Sequence, residues 1–381
     1  MIYLDNAATT KPHEAVVQAM LPYLRDKYGN PSSVYQHGRS ASEAVEEARR
    51  SVASFLHTAP EHIIFTSGGS EGNNMVLRGM MDYMRSQERT VVAMTPTEHP
   101  SIIRTADYLI KCGFDIRFLP VDTQGVVVLE ELNDYIQDDV GLVSVMLVNN
   151  ETGSINPIKE IAKRCHELGI LVHSDCVQAV AAIDVNVNQL DVDFATMSSH
   201  KIHGPKGVGA VYVRDMKHKD RITPLVIGGE EQEYGLRGGT ENVPGIVGFG
   251  KACELMSKPL SIRTTFLYEL GEELTRLGSK HRIYVNSPVS GVGHILNIEV
   301  EGIDAETLVL MMDVKGVCIS AGSACHSKNV EPSHVLKAMG LSDAEARSSV
   351  RISSSSYQTE QEIIDAAHIM AECICQLDKL A

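Results

Sequence analysis

VGLVSVMLVNNETGSINPIKEIAKRCHELGILVHSDCVQ, residues 140–178, is the stretch that decides the fold. Its two ends are β-branched apolar runs, and between them IKEIAKRCHELG spaces its apolar residues as a helix does. Strand, helix and strand in that order form the crossover that joins parallel strands. The same alternation extends upstream. EAVEEARRSVASFLH (43–57) has helical spacing, IIFTSGG (63–69) is a short strand entering a glycine turn, and VVAMTPTEH (91–99) and FDIRFLPVD (114–122) are further strand-like runs. The pattern predicts an α/β fold, a mostly parallel sheet with helices on both faces.

Downstream the pattern changes. After GGTENVPGIVGFG (238–250) one long helix is expected over roughly 246–277, leading the chain out of the sheet. HRIYVNSP (281–288), GHILNIEVEG (293–302), a helix over 305–314, the strand-like VCISAGSAC (317–325) and a last helix from Glu360 then compose a smaller α+β unit. We expect residues 16–255 to form a large domain, and 1–15 with 256–381 a small one. A chain of 381 residues is long enough for two cores.

Composition excludes several classes. Apolar residues at 43% and charged residues at 22% describe a globular protein. The longest apolar runs are far shorter than the roughly 20 residues of a membrane helix, and MIYLDNAATT has none of the marks of a secretion signal, so no membrane partner and a cytoplasmic location are expected. A formal charge of −15 argues against direct nucleic-acid binding. Eight scattered cysteines without metal-site spacing suggest reduced thiols and no metal.

Four segments carry candidate chemistry. TSGGSEGNN (66–74) sets glycines and hydroxyls between strand and helix, where free backbone N–H groups favour an anion such as a phosphate near Ser70; it is also an ordinary strand-to-helix connection. In HSDCVQ (173–178), Asp175 follows a buried strand and needs a partner, either a protonated ring nitrogen or, as a helix cap, backbone N–H groups. MSSHKIHGPKGVG (197–209) groups Ser198, Ser199, His200 and Lys201 before a tight loop, and a shielded lysine there suits imine chemistry, with Lys206 as competitor. SAGSACHS (320–327) puts Cys325 among small polar residues, the setting of a reactive thiol, whereas Cys112, Cys165, Cys176, Cys253 and Cys318 read as core or wall. Arg351, in SSVRISSS, has no adjacent acid in the sequence and reads as free to fork onto a carboxylate. No glycine fingerprint of a nicotinamide dehydrogenase is present.

Taken in order, YLDNAATT, GGSEGNN, TEH, NNETG, SDCVQ, SSHKIHGPKG, GLRGGTEN, SAGSAC and SSVRIS resemble the cysteine desulfurases of the NifS and IscS type, class V aminotransferases of pyridoxal phosphate fold type I. That resemblance implies a seven-stranded-type sheet and pyridoxal 5'-phosphate as cofactor. It implies Lys201 as the covalent attachment point, Asp175 at the pyridinium nitrogen, Gln178 at the ring hydroxyl and His99 stacked on the ring. Gly69, Ser70, Ser198 and His200 would hold the phosphate, with Thr240 reaching over from a second subunit of a homodimer. Arg351 and Asn150 would bind the carboxylate of L-cysteine, and Cys325 would receive its sulfur as a persulfide and pass it to an acceptor protein. The Cys325 loop resembles the longer, mobile form of the subgroup that serves partner proteins. Three features depart from the family pattern: Ser354, Ser355 and Ser356 replace leucine, glycine and a second arginine, His326 follows the cysteine, and the chain stops at Ala381 without the extended tail that docks the iron–sulfur scaffold. Transamination or β-elimination on the same fold, and a catalytically idle sulfur-carrier adaptor, are the alternatives.

Overall fold

A computed structural model describes residues 1–229, 231–322 and 331–377. The strands in chain order are β1 (Ile2–Tyr3), β2 (Ile63–Thr66), β3 (Val91–Met94), β4 (Asp115–Phe118), β5 (Val140–Ser144), β6 (Leu171–Asp175), β7 (Phe194–Ser198), β8 (Gly209–Val213), β9 (Ile283–Val285), β10 (Ile295–Val300), β11 (Val317–Cys318) and β12 (Ser349–Ser353). Seven of them form one sheet in the order β2-β8-β7-β6-β5-β3-β4. β8 runs antiparallel to both neighbours and the remaining pairs are parallel. This is the α/β sheet expected, and the run of fully buried residues in β2, β3, β5, β7 and β8 explains why those strands read as continuous apolar stretches.

Helices cover both faces. One face packs against Gln36–Phe55, Ile158–Glu167 and Val243–Leu255, burying Val45, Val52, Ile161 and Phe249; the other packs against Gly69–Gly79 and Pro100–Lys111, burying Met75, Leu77, Ile102 and Leu109. A separate core joins the antiparallel sheet β12-β10-β9 to the helices Arg263–Leu277, Ala305–Val314 and Glu360–Leu377 through residues such as Phe266, Leu308, Ile352 and Met370.

The single helix expected over 246–277 is two, Val243–Leu255 and Arg263–Leu277. Met256 is extended at φ −56°, ψ 126°, and Pro259 lies in the gap; proline removes a donor and biases the residue before it away from the helix. Ser354 and Ser355 serve this connector. Ser354 Oγ donates to Leu260 O, and Leu260 N donates to Ser355 O at 3.3 Å.

The first ten residues span both cores. β1 pairs in parallel with β11, Asp5 bridges to Ser353 at the end of β12, and Thr10 donates from its backbone N–H and its hydroxyl to His200 O.

Candidate active site

The polar residues singled out in the sequence converge where β2, β6 and β7 give way to loops, the end of a parallel sheet where ligands collect. They line a cavity of about 320 Å³ that contains Gly69, Ser70, His99, Asn150, Asp175, Gln178, Ser198, His200, Lys201 and Arg351, joined by Asn73, Met146 and the backbone of Ala7 and Ala8. Lys201 lines it, whereas Lys206 is exposed and lies outside. Thr240 is exposed and does not line the cavity of its own chain. Cys325 and His326 lie outside the described residues.

One end is built to meet an anion. The helix Gly69–Gly79 starts from Gly68, whose φ of 153° favours glycine, and no side chain caps its first turn. Its leading N–H groups are therefore open to a ligand. A Cβ on Gly69 would sit 2.7 Å from Val177 Cγ2, so glycine is what lets this turn lie against the loop after β6. Ser198 and His200 face the cavity from β7 and the turn after it. Burial, with Lys201 and Lys206 nearby, pushes the His200 ring down to about 4, and its Nδ1 lies 3.1 Å from Thr9 Oγ1.

At the centre Asp175 finds the backbone partner that one of its two sequence readings expected. Oδ1 accepts from Val177 N at 2.9 Å, a cap two residues ahead, while Oδ2 accepts from Asn73 Nδ2 at 2.7 Å. Among the described residues no cation pairs with this buried carboxylate. Asn73 is a cavity residue that the sequence reading passed over; it sits in the GGSEGNN turn on the face of the helix toward β6 and also donates to Ser101 Oγ at 2.9 Å. Gln178 donates to Ala7 O at 2.6 Å, and Lys201 Nζ donates to Ala7 O and to Ala8 O, the latter at 2.9 Å.

His99 caps the helix Pro100–Lys111. Its Nδ1 accepts from Ser101 N at 3.1 Å, which puts the proton of the neutral ring on Nε2. Burial lowers its pKa, opposed by Asp175 and reinforced by Lys201 and His334. The turn is clamped by Glu98, whose Oε1 accepts from Thr95 Oγ1 at 2.6 Å and from Met146 N at 2.8 Å. Burial raises Glu98 to about 8, so much of it is protonated at neutral pH.

At the far end stands Arg351, 2% exposed. The sequence shows no acid beside it, and the fold supplies one. Nη2 donates to Asp5 Oδ1 at 2.7 Å, and Nη1 donates to Asn150 O at 3.0 Å. Asp5 is 346 residues away in sequence, so the expectation of a free guanidinium is corrected by the bridge that brings the first strand segment to β12. The residues flanking 323–330 lie close by. Gly322 and Glu331 line a second cavity of about 200 Å³ that shares Pro100 with the first. Downstream, Ser333 Oγ donates to Glu151 Oε2 at 2.5 Å and His334 Nε2 lies 2.9 Å from Glu98 O, tying that flank to the turns that carry Asn150 and His99.

The model of the class-V aminotransferases matches residues 2–365. The cysteine desulfurase IscS of Dictyoglomus turgidum is 40% identical over 365 residues, which cover 95% of this chain and 91% of that one. The chain belongs to the class-V aminotransferases, among the cysteine desulfurases. Two solved structures are similar throughout: a NifS-like protein with a TM-score of 0.87 at 34% identity, covering all of both chains, and SspA in complex with cysteine with a TM-score of 0.84 at 32% identity, covering 94% of this chain and all of that one. Pyridoxal phosphate is the cofactor of the cysteine desulfurases as a family. The cavity fits that group in its donor set: an amine on Lys201, a buried carboxylate without a cation, an uncapped helix start, and a buried Asn150 Oδ1 with no hydrogen-bond partner among the described residues. No helix among the described residues is long and apolar enough to cross a membrane, and no group of three or more His, Cys, Asp or Glu among them could hold a metal ion.

Proposed function

We propose that this cysteine desulfurase works as a homodimer, converting L-cysteine to L-alanine, holding the released sulfur as a persulfide on Cys325 and passing it to an acceptor protein. The observation that carries the reading is the single cavity that gathers Lys201, Asp175, His99, Asn150 and Arg351 from five separate segments. Residues 16–255 would hold the cofactor, while 1–15 and 256–381 would supply Arg351 and Cys325.

Lys201 Nζ would anchor pyridoxal phosphate, the open start of Gly69–Gly79 with Ser70, Ser198 and His200 would take its phosphate, and Thr240 of the second copy would complete that cradle. Gln178 would meet the ring hydroxyl and His99 would cover the ring face. Bound there, the cofactor supplies an electron sink for the pair released when a proton leaves Cα of the substrate. Asp175 would keep the ring nitrogen protonated, with Asn73 holding the carboxylate in place. Arg351 and the Asn150 amide hold the substrate carboxylate, which fixes the amino acid end to end. The Cys325 thiolate then attacks the substrate sulfur. The new S–S bond forms as the Cβ–S bond breaks, its electron pair stays with Cβ, and protonation there yields alanine. One thiol and one cysteine become one persulfide and one alanine, with no external oxidant.

Incubation of the purified holoenzyme with L-cysteine tests this, with alanine assayed and sulfur located by mass spectrometry. We expect one alanine per persulfide on Cys325 in the first turnover, and loss of sulfur transfer in Cys325→Ser. Full sulfide release by Cys325→Ser would replace the persulfide route with β-elimination.

A further inference from the structure

We propose that Asp5 is the resident counter-ion of Arg351 and sets how tightly the cavity holds an amino-acid carboxylate. This rests on the reading of Arg351 as the carboxylate ligand. Three observations carry it. The Arg351 guanidinium is almost wholly buried, and its one acidic partner among the described residues is Asp5, at 2.7 Å from Nη2. Its Nε is buried without a hydrogen-bond partner among the described residues, while Nη1 is fixed on Asn150 O. Asp5 itself does not line the cavity; it reaches Arg351 from the strand segment that bridges to Ser353, and its side chain is 18% exposed.

A bare buried guanidinium would be costly and would seize any carboxylate that entered. Paired with Asp5 it presents a nearly neutral group whose Nε–H has no partner among the described residues. An incoming α-carboxylate therefore gains directed hydrogen bonds but little net charge attraction. The chemistry needs this restraint. L-cysteine and L-alanine carry the same carboxylate and the same ammonium and differ only in the thiol, so an Arg351 without its counter-ion would retain product as firmly as it captures substrate. Asp5 thus acts on substrate capture and product release alike, through Arg351.

The experiment compares wild-type holoenzyme with Asp5→Asn, which keeps an acceptor oxygen and removes the charge, and with Asp5→Glu, which keeps the charge. Steady-state kinetics are run with L-cysteine and with L-cysteine methyl ester, and the inhibition constant of L-alanine is measured. In Asp5→Asn the KM for L-cysteine and the inhibition constant of L-alanine should both fall by about fivefold or more, with the ester unchanged within about twofold and Asp5→Glu close to wild type. If Asp5→Asn does not fold, Asp5→Ser, neutral and still an acceptor, should show the same tightening. Unchanged or weaker binding of the two acids in the neutral variants, or an equal shift for the ester, overturns the proposal. Arg351→Ala separates the two levels: if it leaves the KM for L-cysteine as it is, Arg351 is not the carboxylate ligand, whereas if it weakens L-cysteine and the neutral Asp5 variants do not tighten it, only the role of Asp5 fails.

Discussion

The cavity has a floor and an arm, built on opposite plans. Beneath it, β5 to β7 bury Ser144, His173, Ser174, Asp175, Thr196 and Ser198 in the middle of a sheet, and the hydrogen bonds run across the strands: Ser144 Oγ to His173 Nδ1 at 2.9 Å and His173 Nε2 to Thr196 Oγ1 at 3.0 Å. Burial drives His173 down to about 3, so the Ser144–His173–Thr196 chain that underlies Asp175 is neutral and closed on itself. The arm is β12, where one guanidinium stands between the apolar Val350 and Ile352 and is held by an ion pair and a carbonyl from other parts of the chain. A neutral network in the interior is rigid because breaking any member leaves a buried polar group unpaired. An ion pair at the cavity wall can share its donors with a ligand. The floor is therefore suited to hold the cofactor in one geometry, and the arm to bind and release what reacts on it.

Variants of floor and arm should separate in kinetics. The largest effect is expected at Asp175→Asn, where the carboxylate that would keep the ring nitrogen protonated is lost: kcat should fall on the order of a hundredfold or more, with a smaller change in KM. Arg351→Ala should do the reverse, raising the KM for L-cysteine at least about tenfold with less effect on kcat. If both variants moved the same parameter, the division between floor and arm would not hold. The smallest effect concerns Glu98, beside the floor. Its folded pKa of about 8 lies above the ordinary carboxylate value, so the stability it confers is present at low pH and declines as pH rises from about 4.5 towards 8. Glu98→Gln removes that titration. Its melting temperature should fall less than that of the wild type between pH 5.5 and pH 8, as followed by calorimetry at a series of pH values.

Much of the floor was legible because its residues sit at strand ends, where an apolar run stops at a polar group: Asp175 after ILVHS, Ser198 and Lys201 after FATM. The large sheet was legible for the same reason. Contacts between distant segments were not. Nothing near Arg351 in sequence announces Asp5, and nothing in GGSEGNN says which of its two asparagines turns toward Asp175; each is settled by how strands far apart in sequence come to lie side by side. The broken helix after Leu255 was marked by Pro259, but apolar spacing on both sides of that proline reads as continuous and hid the gap.

The way the first ten residues are stitched in has a consequence for biosynthesis. They emerge from the ribosome more than 300 residues before Cys318 and Ser353, which close β1 and Asp5 into place. At roughly 5–20 residues per second the segment waits some 20 to 70 s for its partners. The large sheet can form during that interval, but the carbonyls of Ala7 and Ala8 that meet Lys201, and the acid that meets Arg351, are secured only when the last strand arrives. A nascent chain stalled before residue 349 would thus hold a folded sheet around an unfinished catalytic centre, and competence to react would wait on residues 349–353.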